Sequence, residues 1–264
     1  MDFRNQENEH GKIERDKARL VALGYRQTLG IDHKETYSPV AGMNSIRVFH
    51  PYCCHFGACI QQFDVDTAFL NGRLEEEVYI YPPKDVEVDR NKVFKLNRSL
   101  YGLKQAAAAW YKTISRVIVA MDFKQCKSDS CVFIRKRNES TVEKEIDPVI
   151  KELSNRFDLK RLGKVRFILG IEVDYDTQSK KMKLSQQSSI TRMVQRFIQG
   201  NAKSTYNPCV QGQFSAKIED TSTKMKNRPH RSLVGSLLYI SNGTRPDISF
   251  AVCQLSRHLE HPSE

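Results

Sequence analysis

The chain is poor in the features that mark several common protein classes. No run approaches the roughly 18 consecutive apolar residues of a spanning helix, which excludes a helical membrane protein. The first residues, Met1-Asp2-Phe3-Arg4-Asn5-Gln6-Glu7, are charged and have no apolar stretch, so no secretory signal is expected. There is no phosphate-binding glycine-rich loop, no His-Glu-x-x-His and no Gly-x-Ser-x-Gly. None of the 7 cysteines stands in a Cys-x-x-Cys pair, and His55 near Cys53 and Cys59 makes no zinc spacing. The cysteines therefore read as reduced thiols of an intracellular protein, with cytoplasm and nucleus indistinguishable. Internal repeats and low-complexity tracts are absent as well.

What is present suits a folded, basic protein. The 264 residues are 39% hydrophobic and include 13 Phe and 10 Tyr, enough apolar surface for a core in one or two domains. Lys and Arg number 42 against 31 Asp and Glu, a formal net charge of +11. A basic chain of this kind tends to meet phosphate, although a solvated basic surface gives the same count.

Residues 1–16 are polar. Lys17 to Tyr25 alternates as a strand, with Ala18, Leu20 and Ala22 on one face. Gly30-Ile31-Asp32 is a turn, and Ser45 to Gly57 is a helix that Pro51 should break or kink. A strand begins within Ala58 to Phe69, with Phe63 and Val65 on one face and Asp64 and Asp66 on the other. Asn71-Gly72 is a turn signal, and Val78 to Tyr81 a short strand. Gln105 to Met121 is a helix whose stripe is Trp110, Ile114, Val117, Ile118 and Met121. Pro148 suits a helix start after Asp147, ahead of a stripe of Val149, Ile150, Leu153 and Phe157. Val165 to Tyr175 is predicted as one strand, with Met182 to Leu184 as its hairpin partner. Ser188 or Ser189 should cap the next helix, 201–229 is loop-like, Arg231 to Ile240 is helical, and Pro246-Asp247 opens another helix. Strands and helices mix without a βαβ rhythm, so the predicted class is α+β.

The sharpest chemical feature is Phe63-Asp64-Val65-Asp66-Thr67-Ala68-Phe69-Leu70-Asn71-Gly72. An Asp at a strand end with an aromatic five residues on suits a polymerase palm, where the carboxylate holds a divalent ion against a triphosphate. A turn or cap carboxylate gives the same local pattern. Other segments stand around it in order: Lys17-Ala18-Arg19, Glu35-Thr36-Tyr37-Ser38-Pro39-Val40, Ser99-Leu100-Tyr101-Gly102-Leu103-Lys104-Gln105-Ala106 with Trp110-Tyr111, Phe167-Ile168-Leu169-Gly170-Ile171-Glu172-Val173, Leu184-Ser185-Gln186, Arg231-Ser232-Leu233-Val234-Gly235-Ser236-Leu237-Leu238-Tyr239 and Thr244-Arg245-Pro246-Asp247-Ile248. This ordered set resembles the reverse transcriptase domain of Ty1/copia-type LTR retrotransposons over nearly the whole chain.

The resemblance implies a fingers and palm fold with a partial thumb or connection: a polar segment at 1–11, fingers near 12–57, palm near 58–175, and thumb or connection over 176–264. Asp64 matches the first catalytic, metal-binding aspartate. Phe69 matches the aromatic that excludes ribonucleotides. Lys17 and Arg19 match the basic fingers strand that meets the incoming triphosphate; Tyr101, Gly102 and Lys104 match the motif that packs against the nascent base pair and template. The implied partners are an RNA template, a DNA primer and dNTPs, and the implied cofactor is a pair of Mg²⁺ ions. The exposed-looking basic residues Lys160, Arg161, Lys164 and Arg166 are candidates for contacting nucleic acid, as are Lys180, Lys181 and Lys183.

Against this pattern stands a gap. The resemblance calls for a Tyr-Val-Asp-Asp hairpin between the Cys131–Ile134 strand and the helix beginning near Val149. The sequence there runs from Arg135 to Pro148 without an Asp-Asp pair, so an internal deletion near 135–148 and an incomplete palm sheet are expected. Further departures are Ala106 to Ala109 where Pro and Arg are usual, Asp16 in place of an aromatic, and His230 in place of Tyr. The first fingers strand is also expected to be missing, and the chain to stop before an RNase H domain. The expectation is a polymerase remnant without catalysis; the rival reading is a nucleic-acid-binding module.

Overall fold

The computed structural model describes residues 2–7, 13–83, 86–89, 91–136, 142–198, 200–201, 209, 229–257 and 259. The chain divides into two units, one formed by Met1–Phe49 with Gln61–Gly163 and the other by His50–Ile60 with Lys164–Glu264. Helices and short strands alternate irregularly in both, an α+β architecture. Among the described residues no helix is long and apolar enough to cross a membrane.

The first unit opens with β1 (Asp2–Glu7) and β2 (Ile13–Arg19), an antiparallel pair in which Arg4 faces Lys17 and Asp2 faces Arg19. The strand predicted to reach Tyr25 ends at Arg19. The chain beyond it is drawn onto another segment: the Ala22 N–H donates to the Tyr101 carbonyl at 2.7 Å, and Gly24–Arg26 coils into a 3-10 turn. Helix α1 (Met43–Phe56) continues through Pro51, so the proline does not break it. Proline forfeits the bond to the carbonyl four residues back, but its ring is exposed. The start of the helix is held from afar. Asp129 accepts the Gly42 N–H at 3.0 Å and the Ser45 hydroxyl at 2.5 Å, and its other oxygen takes the Cys131 N–H at 2.8 Å. These three donors hold the Asp129 carboxyl below the usual range.

Strand β3 (Gln61–Val65) leads into a 3-10 turn over Ala68–Asn71. Then come β4 (Tyr79–Ile80), paired with β5 (Phe94–Lys95), helix α2 (Ala106–Ala120), β6 (Lys124–Gln125), paired with β7 (Phe133–Ile134), helix α3 (Val142–Ser154) and β8 (Leu159–Lys164). The stripe read in α2 is real. Val117 is buried with Leu153 and Phe157, and Trp110, Ile114, Met121, Val65 and Val149 pack around them. The Trp110 and Phe157 rings meet edge to face at 5.2 Å. A separate cluster joins Val78, Leu100, Leu103 and Ala106 with Ala22, Phe69, Leu70 and Leu74. Helix α3 begins at Val142, so Pro148 lies inside it and does not open it. Burial of Ile150 and Leu153 outweighs the roughly 3 kcal/mol that an interior proline costs.

Strand β3 pairs with β8, and among the described residues neither takes another strand. The Asp66 N–H donates to the Asp158 carbonyl where β3 ends and β8 begins, which makes the pair antiparallel. The Phe63 side chain is exposed, whereas Val65 packs into the core.

In the second unit the strand predicted over Val165 to Tyr175 is broken. Strands β9 (Phe167–Ile168) and β10 (Ile171–Asp176) turn back at Leu169 and Gly170, both at positive φ (47° and 73°). Two residues of that conformation make the tight hairpin turn that matches strand twist. The hairpin partner was read correctly: β11 (Lys181–Ser185) pairs Met182 with Tyr175 and Leu184 with Val173. Helix α4 (Gln187–Arg196) is preceded by Gln186, not capped by Ser188 or Ser189. The Ser188 N–H instead donates to Glu172 at 3.1 Å, and its hydroxyl bonds the same oxygen, which keeps Glu172 below the usual carboxylate range. Helix α5 (His230–Gly243), a 3-10 turn over Pro246–Ile248 and helix α6 (Ser249–Ser256) follow. Gly243 has a packing reason: a Cβ there would stand 2.3 Å from Oε1 of the buried Gln186. Of the predicted loop at 201–229, residues 202–208 and 210–228 lie outside the described residues.

Candidate functional site

Several residues picked out in the sequence converge in the first unit. The Tyr101 ring lies 5.1 Å from the Phe69 ring at 55°, and the Arg19 guanidinium sits 5.6 Å from the centre of the Tyr101 ring. Residues 19, 69 and 101 are far apart in the chain and meet because the segment after β2 is bonded along the turn that carries Tyr101. Phe69 itself is half-buried against the Val78–Leu100 cluster. An arginine over an aromatic ring beside a second ring offers a cation and flat π surface together, the pairing that suits a nucleotide's phosphates and base.

Gly102 sits at φ 89°, where side chains are disfavoured, and a Cβ on it would lie 2.2 Å from the Ala22 carbonyl oxygen. The close approach that demands glycine here is therefore made by the protein's own backbone. Gly24 answers it from the other side, since its Cβ would lie 2.0 Å from the Gly102 oxygen.

Lys104 is held by Gln27. Its N–H donates to Gln27 Oε1 at 2.8 Å, and its ammonium donates to the Gln27 carbonyl at 3.1 Å. Gln27 Nε2 donates to Gln105 Oε1 at 3.0 Å, and Gln105 Nε2 donates to the Asp32 carbonyl at 2.8 Å. Asp32 and Gln105 stand in segments read from the sequence as a turn and a motif, but neither they nor Gln27 carried a role there, because nothing local marks an amide as a long-range hydrogen-bond partner.

Asp64 is exposed on β3, and Asp66 is exposed just beyond it. Among the described residues no group of three His, Cys, Asp or Glu side chains could hold a metal ion. A pair of hard divalent ions needs about six oxygen ligands each, delivered from more than one strand. Two carboxylates on one strand end do not fit that centre. Residues 137–141, within the stretch where the resemblance calls for the aspartate pair, lie outside the described residues, as do the side chains of Lys17, Glu143 and Glu145.

The basic candidates are spread. Lys160 and Arg161 are exposed on β8, with Arg161 3.3 Å from Asp147; Lys164 and Arg166 are exposed at the strand's end and beyond. Lys180, Lys181 and Lys183 are exposed at the turn and on β11. Cys53, Cys54, Cys59, Cys126, Cys131 and Cys253 are free thiols, and burial raises the Cys53 thiol above its ordinary pKa.

Comparison with known proteins gives this geometry a class. The family model described as reverse transcriptase (RNA-dependent DNA polymerase) matches residues 2–211, and the chain belongs to that family. Within it the relatives point to the Ty1/copia type. The chain is 38% identical to the retrovirus-related Pol polyprotein from transposon TNT 1-94 of Nicotiana tabacum, over 96% of this chain and 21% of that protein. It is 36% identical to the Pol polyprotein from transposon RE1 of Arabidopsis thaliana, over 99% of this chain and 19% of the relative. It is 29% identical to the transposon Ty1-ER2 Gag-Pol polyprotein of Saccharomyces cerevisiae, over 94% and 16%. The chain thus spans about a fifth of the length of these curated relatives. No solved structure matches it.

Proposed function

We propose that the chain is the nucleotide- and template-facing part of a copia-type reverse transcriptase domain and does not itself add nucleotides. In this reading residues near 12–57 are fingers, those near 58–175 are palm, and the remainder is thumb or connection. The observation that carries the proposal is the convergence of Arg19, Tyr101 and Phe69. Arg19 supplies positive charge for a triphosphate, Tyr101 supplies a face for the base, and Phe69 backs Tyr101 and lies beneath the sugar. Asp64 is the surviving carboxylate of the ancestral centre. Template-directed addition needs two ions about 3.5–4 Å apart, and the carboxylates of β3 supply too few ligands to hold both.

The test is primer extension on an RNA template with a DNA primer, in Mg²⁺ and in Mn²⁺, beside Asp64→Ala. No extension is expected from a sample that melts cooperatively. Extension by the parent that Asp64→Ala abolishes would refute the loss of catalysis. Binding of a fluorescent dATP analogue checks the remaining half of the proposal. Tyr101→Ala should weaken it by about 5- to 150-fold, the range for one stacked base.

A second reading, a binding module with no nucleotide specificity, is favoured by the exposed Lys160, Arg161, Lys164 and Arg166. It requires oligonucleotide affinity that falls steeply with salt while Tyr101→Ala leaves dATP binding unchanged.

A further inference from the structure

We infer that the second unit carries a separate surface for single-stranded nucleic acid, formed by the last turn of α1 and the turn between β10 and β11. Tyr52 and Phe56 stand one helical turn apart, each 61% exposed, with ring centres 4.8 Å apart. His55 meets Phe56 edge to face at 4.8 Å and is also exposed. Rings of this size are rarely left together in water by a folded chain; here three stand in contact, Phe56 tilted 49° to Tyr52 and 89° to His55.

The lysines are brought to that surface by specific bonds. The Tyr175 hydroxyl lies 2.9 Å from the carbonyl oxygens of both Cys53 and Ala58, and Cys54 Sγ donates to the Lys180 carbonyl at 2.9 Å. The Lys180 side chain passes over Gly57, directly after Phe56, with its Cε 3.5 Å from where a Cβ would stand. Lys181 and Lys183 follow on the exposed side of β11. Two carboxylates oppose them: Asp176 sits across from Lys181 and Asp174 across from Lys183. Asp176 is already engaged by the Gln178 N–H at 2.9 Å and the Ser179 hydroxyl at 2.6 Å. Lys180 lies in the turn ahead of the paired residues and has no carboxylate across the ladder, and its side chain runs beside Gly57, the residue after Phe56.

Flat rings beside lysines match a strand of unpaired nucleotides, whose bases stack and whose phosphates are anionic. A protein partner would match the rings alone. A duplex hides its base faces and would match the lysines alone. The inference uses the family's affinity for nucleic acid but none of the Arg19, Phe69 and Tyr101 wall.

The experiment is anisotropy with fluorescein-labelled dT20 on the whole chain at 50 and 200 mM salt. Tyr52→Ala/Phe56→Ala should weaken binding about tenfold or more at both salts. Lys180→Glu/Lys181→Glu should weaken it comparably and flatten its salt dependence. Binding of the dATP analogue should be unchanged in both variants, so failure here is distinct from failure of the nucleotide wall. Because a variant can lose its fold, the unaltered chain is also crosslinked to 5-iododeoxyuridine-substituted dT20 and mapped by mass spectrometry. Crosslinks are expected at Tyr52, His55 or Phe56, and crosslinks confined to other residues overturn the inference. So does dT20 affinity unchanged in both variants, or concentration-dependent dimerisation that only the ring variant abolishes.

Discussion

Replacing Gly102 by alanine is the sharpest probe of how the Tyr101 turn is held. Two costs add. The residue sits at φ 89°, and holding a side chain in left-handed backbone costs about 1–2 kcal/mol. The new Cβ would also stand 2.2 Å from the Ala22 oxygen and 2.7 Å from Val21 Cγ1. Relieving such overlap shifts backbone and costs typically about 1–3 kcal/mol. The sum, about 2–5 kcal/mol, is a large share of the roughly 5–15 kcal/mol that holds a domain folded. With a urea dependence of about 1–3 kcal/mol per molar, a loss near 3 kcal/mol lowers the midpoint by about 1–3 M. The assay is built into the chain, because Trp110 is its single tryptophan and packs on Phe157 in the same unit. Gly30→Ala is the control: its φ is 86°, yet nothing lies within 4 Å of the added Cβ. It should pay the backbone cost alone. A Gly102→Ala midpoint no lower than that of Gly30→Ala would refute the argument that the Ala22 segment is clamped onto the Tyr101 turn.

Other expectations follow from two features of α1, its interior proline and its long-range contact with Asp129. Pro51→Ala restores a helical N–H at an exposed position and should raise stability by up to about 3 kcal/mol, read as a higher urea midpoint. Asp129 is held below its usual pKa by Ser45, Gly42 and Cys131, so its contribution is present above the unfolded value near 3.9 and fades as pH falls through the lower folded value. Asp129→Asn should therefore lower the melting temperature at pH 7 and shrink the difference between wild type and variant towards pH 3; an equal difference at both pH values would remove Asp129 as a charge-dependent cap.

How far the sequence disclosed all this varies with the range of the interaction. The α2 stripe and the pairing of Val173 and Tyr175 with Leu184 and Met182 were legible because periodic burial writes itself locally. The break expected at Pro51 and the start expected at Pro148 did not occur because a proline's penalty is local, whereas the burial that overrides it, such as that of Leu153 against Val117, is tertiary. The break at Leu169-Gly170 was hidden inside an apolar run, where a non-glycine residue at positive φ leaves no compositional trace. Ser188 looked like a cap but spends its donors on Glu172 across the unit. In the candidate site, the stacking of Arg19, Tyr101 and Phe69 joined residues marked by motif. The amide relay through Gln27 and Gln105 was invisible, since hydrogen-bond partners 78 residues apart follow no spacing rule.

Among the described residues β3 pairs with β8 alone, and under the proposed reading of Asp64 this bears on any attempt to build a metal centre there. A two-stranded ribbon twists more strongly than a strand inside a wide sheet and resists bending less. Catalytic groups must be fixed to within about 0.5 Å, which takes support on both flanks. Grafting an aspartate pair onto a nearby loop would thus supply ligands without supplying rigidity. A repair would have to bring whole strands, so that the carboxylates arrive on the same pleated frame that stiffens the one already present.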